Sequence, residues 1–356
     1  MAATGLALSM LLGIMTAAVS IWNIRALVVF LGATESTIEN TVSYLRIIVL
    51  GAPFMMGQFV VNNQLRFQGS ALYAMVGLLC GAILNIALDP LLILVFQMGV
   101  TGAAIATVCG QIISFFVLLA GSMHGSNIRL RVRNIHINGH YLFEIINGGI
   151  PALFRQGLAA VATVLLNRAA GVYGDAAIAG MSVTTRVTMF VSSALIGFGQ
   201  GYQPVCAFNY GAGKKNRVRE GFFFCVRYGT LFLAMMAVLC LCFAPNIIGF
   251  FRDDPEVIAV GTVALRWQAA ALPLLACIVI SNMMLQSIGK GLKASVTASA
   301  RNGIFFIPLI LLLPQFLGLT GVEMTQAAAD ILSVSVSIPL AVSELRKMKS
   351  DDSKTM

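Results

Sequence analysis

Residues 42–76 read VSYLRIIVLGAPFMMGQFVVNNQLRFQGSALYAMV, and residues 262–296 read TVALRWQAAALPLLACIVISNMMLQSIGKGLKASV. At a constant shift of 220 residues, Leu45, Arg46 and Pro53 fall on Leu265, Arg266 and Pro273. Asn62, Leu65, Gly69, Leu72, Ala74 and Val76 fall on Asn282, Leu285, Gly289, Leu292, Ala294 and Val296. After one deletion, Gly99, Thr101 and Gly102 fall on Gly318, Thr320 and Gly321. A register kept through three apolar segments and their connecting loops marks an internal repeat, with both copies running in the same direction.

The composition around that repeat fixes its medium. Of 356 residues, 58% are hydrophobic and only 10% charged, against about 25% charged in a typical soluble domain. Too few polar side chains are present to cover a water-exposed surface. An ordinary cytosolic enzyme, a disordered chain and a collagen-like repeat are thereby excluded, and an all-α polytopic membrane protein is implied. The apolar runs define ten candidate spans: residues 5–31, 41–62, 71–96, 102–120, 143–171, 177–204, 221–247, 257–283, 294–317 and 322–345. In a membrane the same-direction copies become two parallel-repeat helical bundles related by an axis along the membrane normal.

The loops alternate in charge. One set carries Arg66; Arg129, Arg131 and Arg133; Lys214, Lys215, Arg217 and Arg219; Lys290 and Lys293; and Arg346, Lys347, Lys349 and Lys354, 14 basic residues in all. The opposite set holds Arg252 alone among Glu35, Glu39, Asp175, Asp253, Asp254 and Glu256. Basic loops stay on the cytoplasmic side, so both termini are expected in the cytoplasm. The net charge of +9 is then a topology signal, and no nucleic-acid partner is implied. No cleavable signal peptide is expected, because no basic segment precedes the first apolar run.

The expected organisation is an N-lobe over residues 1–121, a cytoplasmic linker at 122–141, a C-lobe at 142–345 and a tail at 346–356. All three histidines, His124, His136 and His140, fall in the linker. Their spacing, without a cysteine nearby, favours a solvated segment over a metal site. The seven cysteines lie in or beside apolar runs with no zinc or redox spacing, so free thiols are expected. A shift of 220 is more than half of 356 residues, which leaves spans five and six without partners. The simplest expectation is a six-plus-six helix protein seen here as four plus six, lacking its first two helices. A genuine four-plus-six architecture is the alternative.

Within the spans a few polar residues stand out. Asp89 lies in an apolar run with no basic neighbour, and Asn85 precedes it by one helical turn on the same face. Pro90 loosens the following backbone and frees carbonyl oxygens. An amide, a carboxylate and free carbonyls make a hard-oxygen site for Na⁺, or a protonatable acid. An acid merely hydrogen-bonded to a neighbouring helix is the alternative. Asp330 is expected to pair structurally, with Arg301 or Arg266 as partner. Gln58, Asn62, Arg155, Gln156, Asn167, Arg186 and Asn282 must face protein or water; they are candidates to line a substrate cavity or to join helices. Met55, Met56, Met283 and Met284 suit either adaptable binding of apolar compounds or ordinary packing. Gly77-x-x-x-Gly81 is expected to allow close helix packing. Gly211-Ala-Gly213-Lys214 lacks the spacing of a phosphate loop. No cluster supports an enzyme, and no cofactor is expected beyond H⁺ or Na⁺ as coupling ion.

The stretch 199–219, GQGYQPVCAFNYGAGKKNRVR, resembles the loop region after the second helix of a bundle in the MATE (multidrug and toxic compound extrusion) transporters. Leu65-Arg-Phe-Gln-Gly69, Gln286-Ser-Ile-Gly-Lys-Gly291, Gly318-Leu-Thr-Gly321 and Gly148-Gly-Ile-Pro-Ala152 support the resemblance, which covers essentially the whole chain and is nearest to the MepA-like branch. It implies two six-helix lobes facing each other across a central cavity. It also implies a secondary active antiporter exporting cationic or amphipathic drugs in exchange for H⁺ or Na⁺. Asn85 and Asp89 match the Asn-x-x-x-Asp of the family's fifth helix, implicated there in cation coupling. The family's acid on its first helix has no counterpart here. No mid-span acid occupies 143–171 or 257–283, and Glu144 sits at an edge, which leans toward H⁺. A monomer is expected, in the lipid bilayer, with small-molecule substrates. The alternatives are a lipid-linked oligosaccharide or polysaccharide flippase of the same superfamily, and a non-transporting remnant.

Overall fold

The computed structural model describes residues 2–30, 38–124 and 138–352. All ten expected segments are helical where described, and among the described residues there is no strand. Contacts divide the chain into unit 1, Met1–Ile145, and unit 2, Ile146–Met356. Arg129, Arg131, Arg133, His136, Glu35 and Lys354 lie outside the described residues, as does the side chain of His140.

Unit 1 holds α1 (Ala2–Trp22), α2 (Ile24–Phe30), α3 (Ile38–Leu50), α4 (Ala52–Phe67), α5 (Ala71–Pro90) and α6 (Gly99–Ser122). The next helix, α7 (Gly139–Gly171), starts in unit 1 and runs into unit 2. Unit 2 continues with α8 (Asp175–Gly211), α9 (Lys215–Phe251), α10 (Pro255–Ser287), α11 (Gly291–Ser299), α12 (Phe306–Leu317) and α13 (Leu319–Asp352). Among the described residues eight helical segments are long and apolar enough to cross a bilayer, and the bent pair α3–α4 together passes the same test of length and composition. The remaining expected segment lies in α7, which carries Glu144, Arg155 and Arg168 among its apolar residues. Large apolar side chains on the outside, such as Leu94, Phe190, Phe250 and Phe316 at 71%, 80%, 87% and 82% exposed, suit a lipid surround and would be costly in water.

Each unit has its own core. In unit 1, Val61, Leu65, Ala74, Phe115 and Leu118 pack together from α4, α5 and α6. In unit 2, α10 is the central helix, and Leu265, Leu275, Ile280 and Met284 are packed among residues of α8, α9 and α13.

The repeat is visible atom by atom. Gly69 and Gly289 both take left-handed backbone, φ +83° and +74°, which a side chain would strain. Around them the helix ends close identically. Gln68 N–H donates to Gln64 O at 3.0 Å and Ser70 N–H to Leu65 O at 2.9 Å; Ile288 N–H donates to Met284 O at 3.0 Å and Lys290 N–H to Leu285 O at 2.9 Å. Each corner is locked by an amide: Asn62 Nδ2 donates to Ala74 O at 3.0 Å, and Asn282 Nδ2 to Ala294 O at 2.7 Å. All these pairs are 220 residues apart. Replacing Asn282 with Leu is expected to destabilise the protein by about 1–3 kcal/mol, because the Ala294 carbonyl loses its donor; a thermal melt of the purified protein reads this. Asn62→Leu should cost a similar amount.

One repeated helix differs between the copies. In unit 1 it breaks at Gly51 into α3 and α4, bent by 47°, three residues after Ile48, whose carbonyl accepts from Gly51 N–H at 3.0 Å. In unit 2 the same stretch is the continuous 33-residue α10. Pro53 and Pro273 are present in both, each withdrawing one helical donor. The difference lies two residues earlier, where glycine stands at 51 and alanine at 271.

Candidate cation site in unit 1

The site is built where α5 crosses α6. Small residues let the two backbones meet. A Cβ on Gly81 would lie 2.4 Å from both Gly110 O and Ser114 Oγ, and one on Gly77 would lie 2.4 Å from Leu118. Ser114 Oγ donates to Gly77 O at 2.6 Å. The expected close packing at Gly77 and Gly81 is therefore present.

One turn further along α5, Asn85 Nδ2 points to Thr107 Oγ1 at 3.5 Å, and Thr107 donates in turn to Ala103 O at 2.9 Å. Another turn on comes Asp89, whose Oδ1 is buried with no hydrogen-bond partner. Pro90 has no N–H to give Ile86 O, and Leu91 N–H donates to Leu88 O. The regular ladder thus ends around Asp89, and a π-helical turn follows at Leu91–Val95, with Phe96 N–H on Leu91 O at 3.1 Å. On α6, which runs antiparallel to α5, Gln111 lies one turn from Thr107 in the direction away from Asp89, and its Oε1 is also buried without a donor. That oxygen lies 3.1 Å from the point a Cβ on Gly51 would occupy, at the α3–α4 bend. Gln58 Oε1 and Gln64 Oε1 are the other buried side-chain oxygens of unit 1 in this condition among the described residues.

Buried oxygens without donors cost free energy unless something positive reaches them. Asp89 is the costly one, being a carboxylate in an apolar span. Asp89 can accept a proton, or hold a hard cation with its carboxylate, the Asn85 amide one turn back on the same face and the backbone carbonyls freed by Pro90. Thr107 and Gln111 escaped the sequence reading. Their signal was spacing, four apart on α6, but only Thr107 meets the Asn85 face of α5, while Gln111 addresses the α3–α4 bend at Gly51.

The other expected site residues are placed as follows. Asn62 and Asn282 are each 5% exposed, and their amides are spent on the corner carbonyls described above. They serve as struts within their own units, the second of the two roles expected of them. Gln286 Nε2 donates to Asn282 Oδ1 at 3.1 Å, and Gln203 Nε2 to Gln286 Oε1 at 3.3 Å, extending that strut to α8. Gln156, Asn167 and Arg186 are exposed on unit 2, and the side chain of Arg155 lies outside the description. Met283 and Met284 are buried in packing, at 2% and 0%, while Met55 is 39% exposed. Asp330 pairs with Arg301, Nε to Oδ1 at 2.7 Å and Nη2 to Oδ2 at 3.3 Å, whereas Arg266 is exposed. All seven cysteines are free thiols. Gly213 of the glycine-rich 211–214 stretch is a helix corner at φ +72°.

A family model described as MatE matches residues 1–91 and 151–312. The multidrug export protein MepA of Staphylococcus saprophyticus is 26% identical over 324 residues, covering 91% of this chain and 71% of that protein. The multidrug export protein MepA of Staphylococcus aureus is 28% identical over 303 residues, covering 85% and 67%. Among solved structures, a multidrug resistance MATE family transporter of the MOP superfamily in an outward-facing conformation aligns with TM-score 0.88 at 22% identity, over 98% of this chain and 79% of that one. A MOP superfamily transporter from Pyrococcus furiosus, described by the reverse polarity of its binding pocket, aligns with TM-score 0.91 at 22% identity, over 98% and 79%.

Proposed function

The chain belongs to the MatE family, and on that premise we propose that it is a secondary active antiporter that exports cationic or amphipathic compounds in exchange for H⁺ or Na⁺. The observation that carries the coupling is the buried, undonated Oδ1 of Asp89, in a membrane span beside Asn85 and Thr107. The MepA relatives, named as multidrug export proteins, support the substrate class.

In the proposed cycle a cation or proton neutralises Asp89 in one state and leaves it in the other. Export is driven because the ion and the compound favour different states, so each shifts the population the other needs. Gln156, Asn167, Arg186 and Gln58 are the proposed polar contacts for substrate. The protein is proposed to lie in the plasma membrane as a monomer with both termini in the cytoplasm, on the 14-to-1 asymmetry of basic residues between the two sets of loops.

The direct test is ethidium efflux from vesicles with Na⁺ and pH gradients imposed separately. Efflux should follow one gradient and collapse when that gradient is dissipated. Efflux indifferent to both would remove the antiport reading.

A further inference from the structure

In unit 2 the interface of α8 with α9 is closed along its centre and open along one side. Gly229 allows the closure, since a Cβ there would lie 2.8 Å from Leu195 Cδ1. Toward the start of α9, Tyr202 Oη donates to Val218 O at 3.1 Å, and a Cβ on Gly221 would lie 3.0 Å from the Tyr202 ring. Beside Gly229 the packing is incomplete. A cavity of about 280 Å³ remains there, lined by Ala194, Leu195, Phe198, Tyr228, Gly229 and Phe232, and Ala194 contributes only a methyl group to its wall. The rings of Phe198, Phe224 and Tyr228 run on from it, with successive centroids 6.4 and 4.5 Å apart. These three side chains are exposed, so the cavity continues into an open, aromatic-walled groove.

The groove is charged at one end. Arg217, Gly221, Phe224, Tyr228 and Phe232 follow one another at steps of four, three, four and four residues, so they share one face of α9. Lys214 stands one turn before Arg217. The side chains of Arg217 and Lys214 are exposed and, among the described residues, make no hydrogen bond or ion pair. Arg219 is already placed over the Phe223 ring, 5.7 Å from its centroid, and Glu220 is the one acid in α9. At a rise of 1.5 Å per residue, Tyr228 lies ~16 Å and Phe232 ~22 Å along the helix from Arg217. The hydrocarbon of one leaflet is about 15 Å deep, half of the bilayer core. A phosphate on Arg217 therefore sets the ends of its own acyl chains at the depth of the cavity. An apolar cavity stays dry, and lipid chains are what is present at that depth to fill it.

We infer that this groove seats one anionic phospholipid of the surrounding membrane, its phosphate held by Arg217 and Lys214 and one acyl chain ending in the cavity at Phe198 and Phe232. The guanidinium fork matches phosphate oxygens, and basic side chains at a membrane surface draw anionic headgroups. A soluble anion would use only the basic end, and an uncharged lipid only the cavity. The site belongs to unit 2 and does not depend on which ion drives transport, or on Asp89.

The test is native mass spectrometry of the full-length protein in detergent, titrated with phosphatidylglycerol and, separately, with phosphatidylcholine of the same chains. One phosphatidylglycerol should be retained in preference. Arg217→Gln combined with Lys214→Gln should weaken its retention by roughly thirtyfold, the effect of two basic residues at a membrane surface. Ala194→Trp fills the cavity from an exposed position; it should weaken the long-chain lipid by roughly tenfold, as expected for about two methylenes left unburied. The same variant should leave dihexanoyl phosphatidylglycerol unaffected, because its chains are too short to reach. Arg227→Gln is the control: Arg227 stands at the depth of the cavity, away from the basic end, and retention should not change. Equal retention of phosphatidylcholine overturns the inference, as does indifference to Ala194→Trp or to the double substitution. So does displacement of the lipid by inorganic phosphate at equal concentration, which would leave an anion site without a chain, or by ethidium, which would make the groove a transport subsite. Loss on Arg227→Gln would put the headgroup elsewhere and has the same result. Should the double variant fail to fold, the headgroup preference of the wild type and the Ala194→Trp response decide the matter.

Discussion

Asp89→Asn is expected to reduce gradient-driven efflux by roughly tenfold to a hundredfold, the range of a coupling free energy, while leaving insertion and the melt of the protein nearly unchanged. The substitution keeps the size and shape of the side chain and removes the group that can gain or lose a charge. Oδ1 of Asp89 has no protein donor, so no folded-state hydrogen bond is lost at that atom. A purely structural acid would behave in the opposite way, with stability falling and transport per folded molecule intact. Asp89→Glu retains the carboxylate and should retain part of the activity. Efflux assays in vesicles, normalised to the amount of inserted protein, separate the cases. Wild-type efflux by Asp89→Asn would end the assignment of this site.

The second large effect is steric. Gly81→Ala should destabilise unit 1 by about 1–3 kcal/mol, and Gly81→Leu should prevent its folding. The new Cβ would meet the Gly110 carbonyl oxygen at 2.4 Å. That oxygen is backbone and cannot rotate away, so the two helices must part. Their separation would also pull Asn85 from Thr107, one turn along. Gly5→Ala is the matched control, because a Cβ there meets nothing within 4 Å; it should be neutral or slightly stabilising, since alanine is the better helix former. Melting temperature in detergent and the fraction of monodisperse protein report both. A Gly81→Ala protein as stable as wild type would show that the α5–α6 crossing can loosen without loss.

The sequence made some of this legible and hid the rest for physical reasons. Lipid forces helices to be long and apolar, so their positions could be read directly, and a constant 220-residue register could be read across them. Asp89 was legible because a lone acid in an apolar run has few explanations. Thr107 and Gln111 were not, because a threonine and a glutamine in a helix are ordinary until a facing helix gives them something to address. The amides Asn62 and Asn282 announced themselves by recurring, but recurrence could not say whether they met substrate or backbone. Only the closeness of Ala74 and Ala294 decides that. Asp330 had two candidate arginines in sequence, and helix packing chose Arg301.

The unequal fate of one duplicated helix has a mechanical consequence. In unit 1 it is jointed at Gly51, beside Gln111; in unit 2 its twin runs on as a single rod through Ala271. Two levers of common origin have been given different stiffness. A load along the unit 1 copy meets a joint that can yield at Gly51, whereas the same load along α10 meets an unbroken helix.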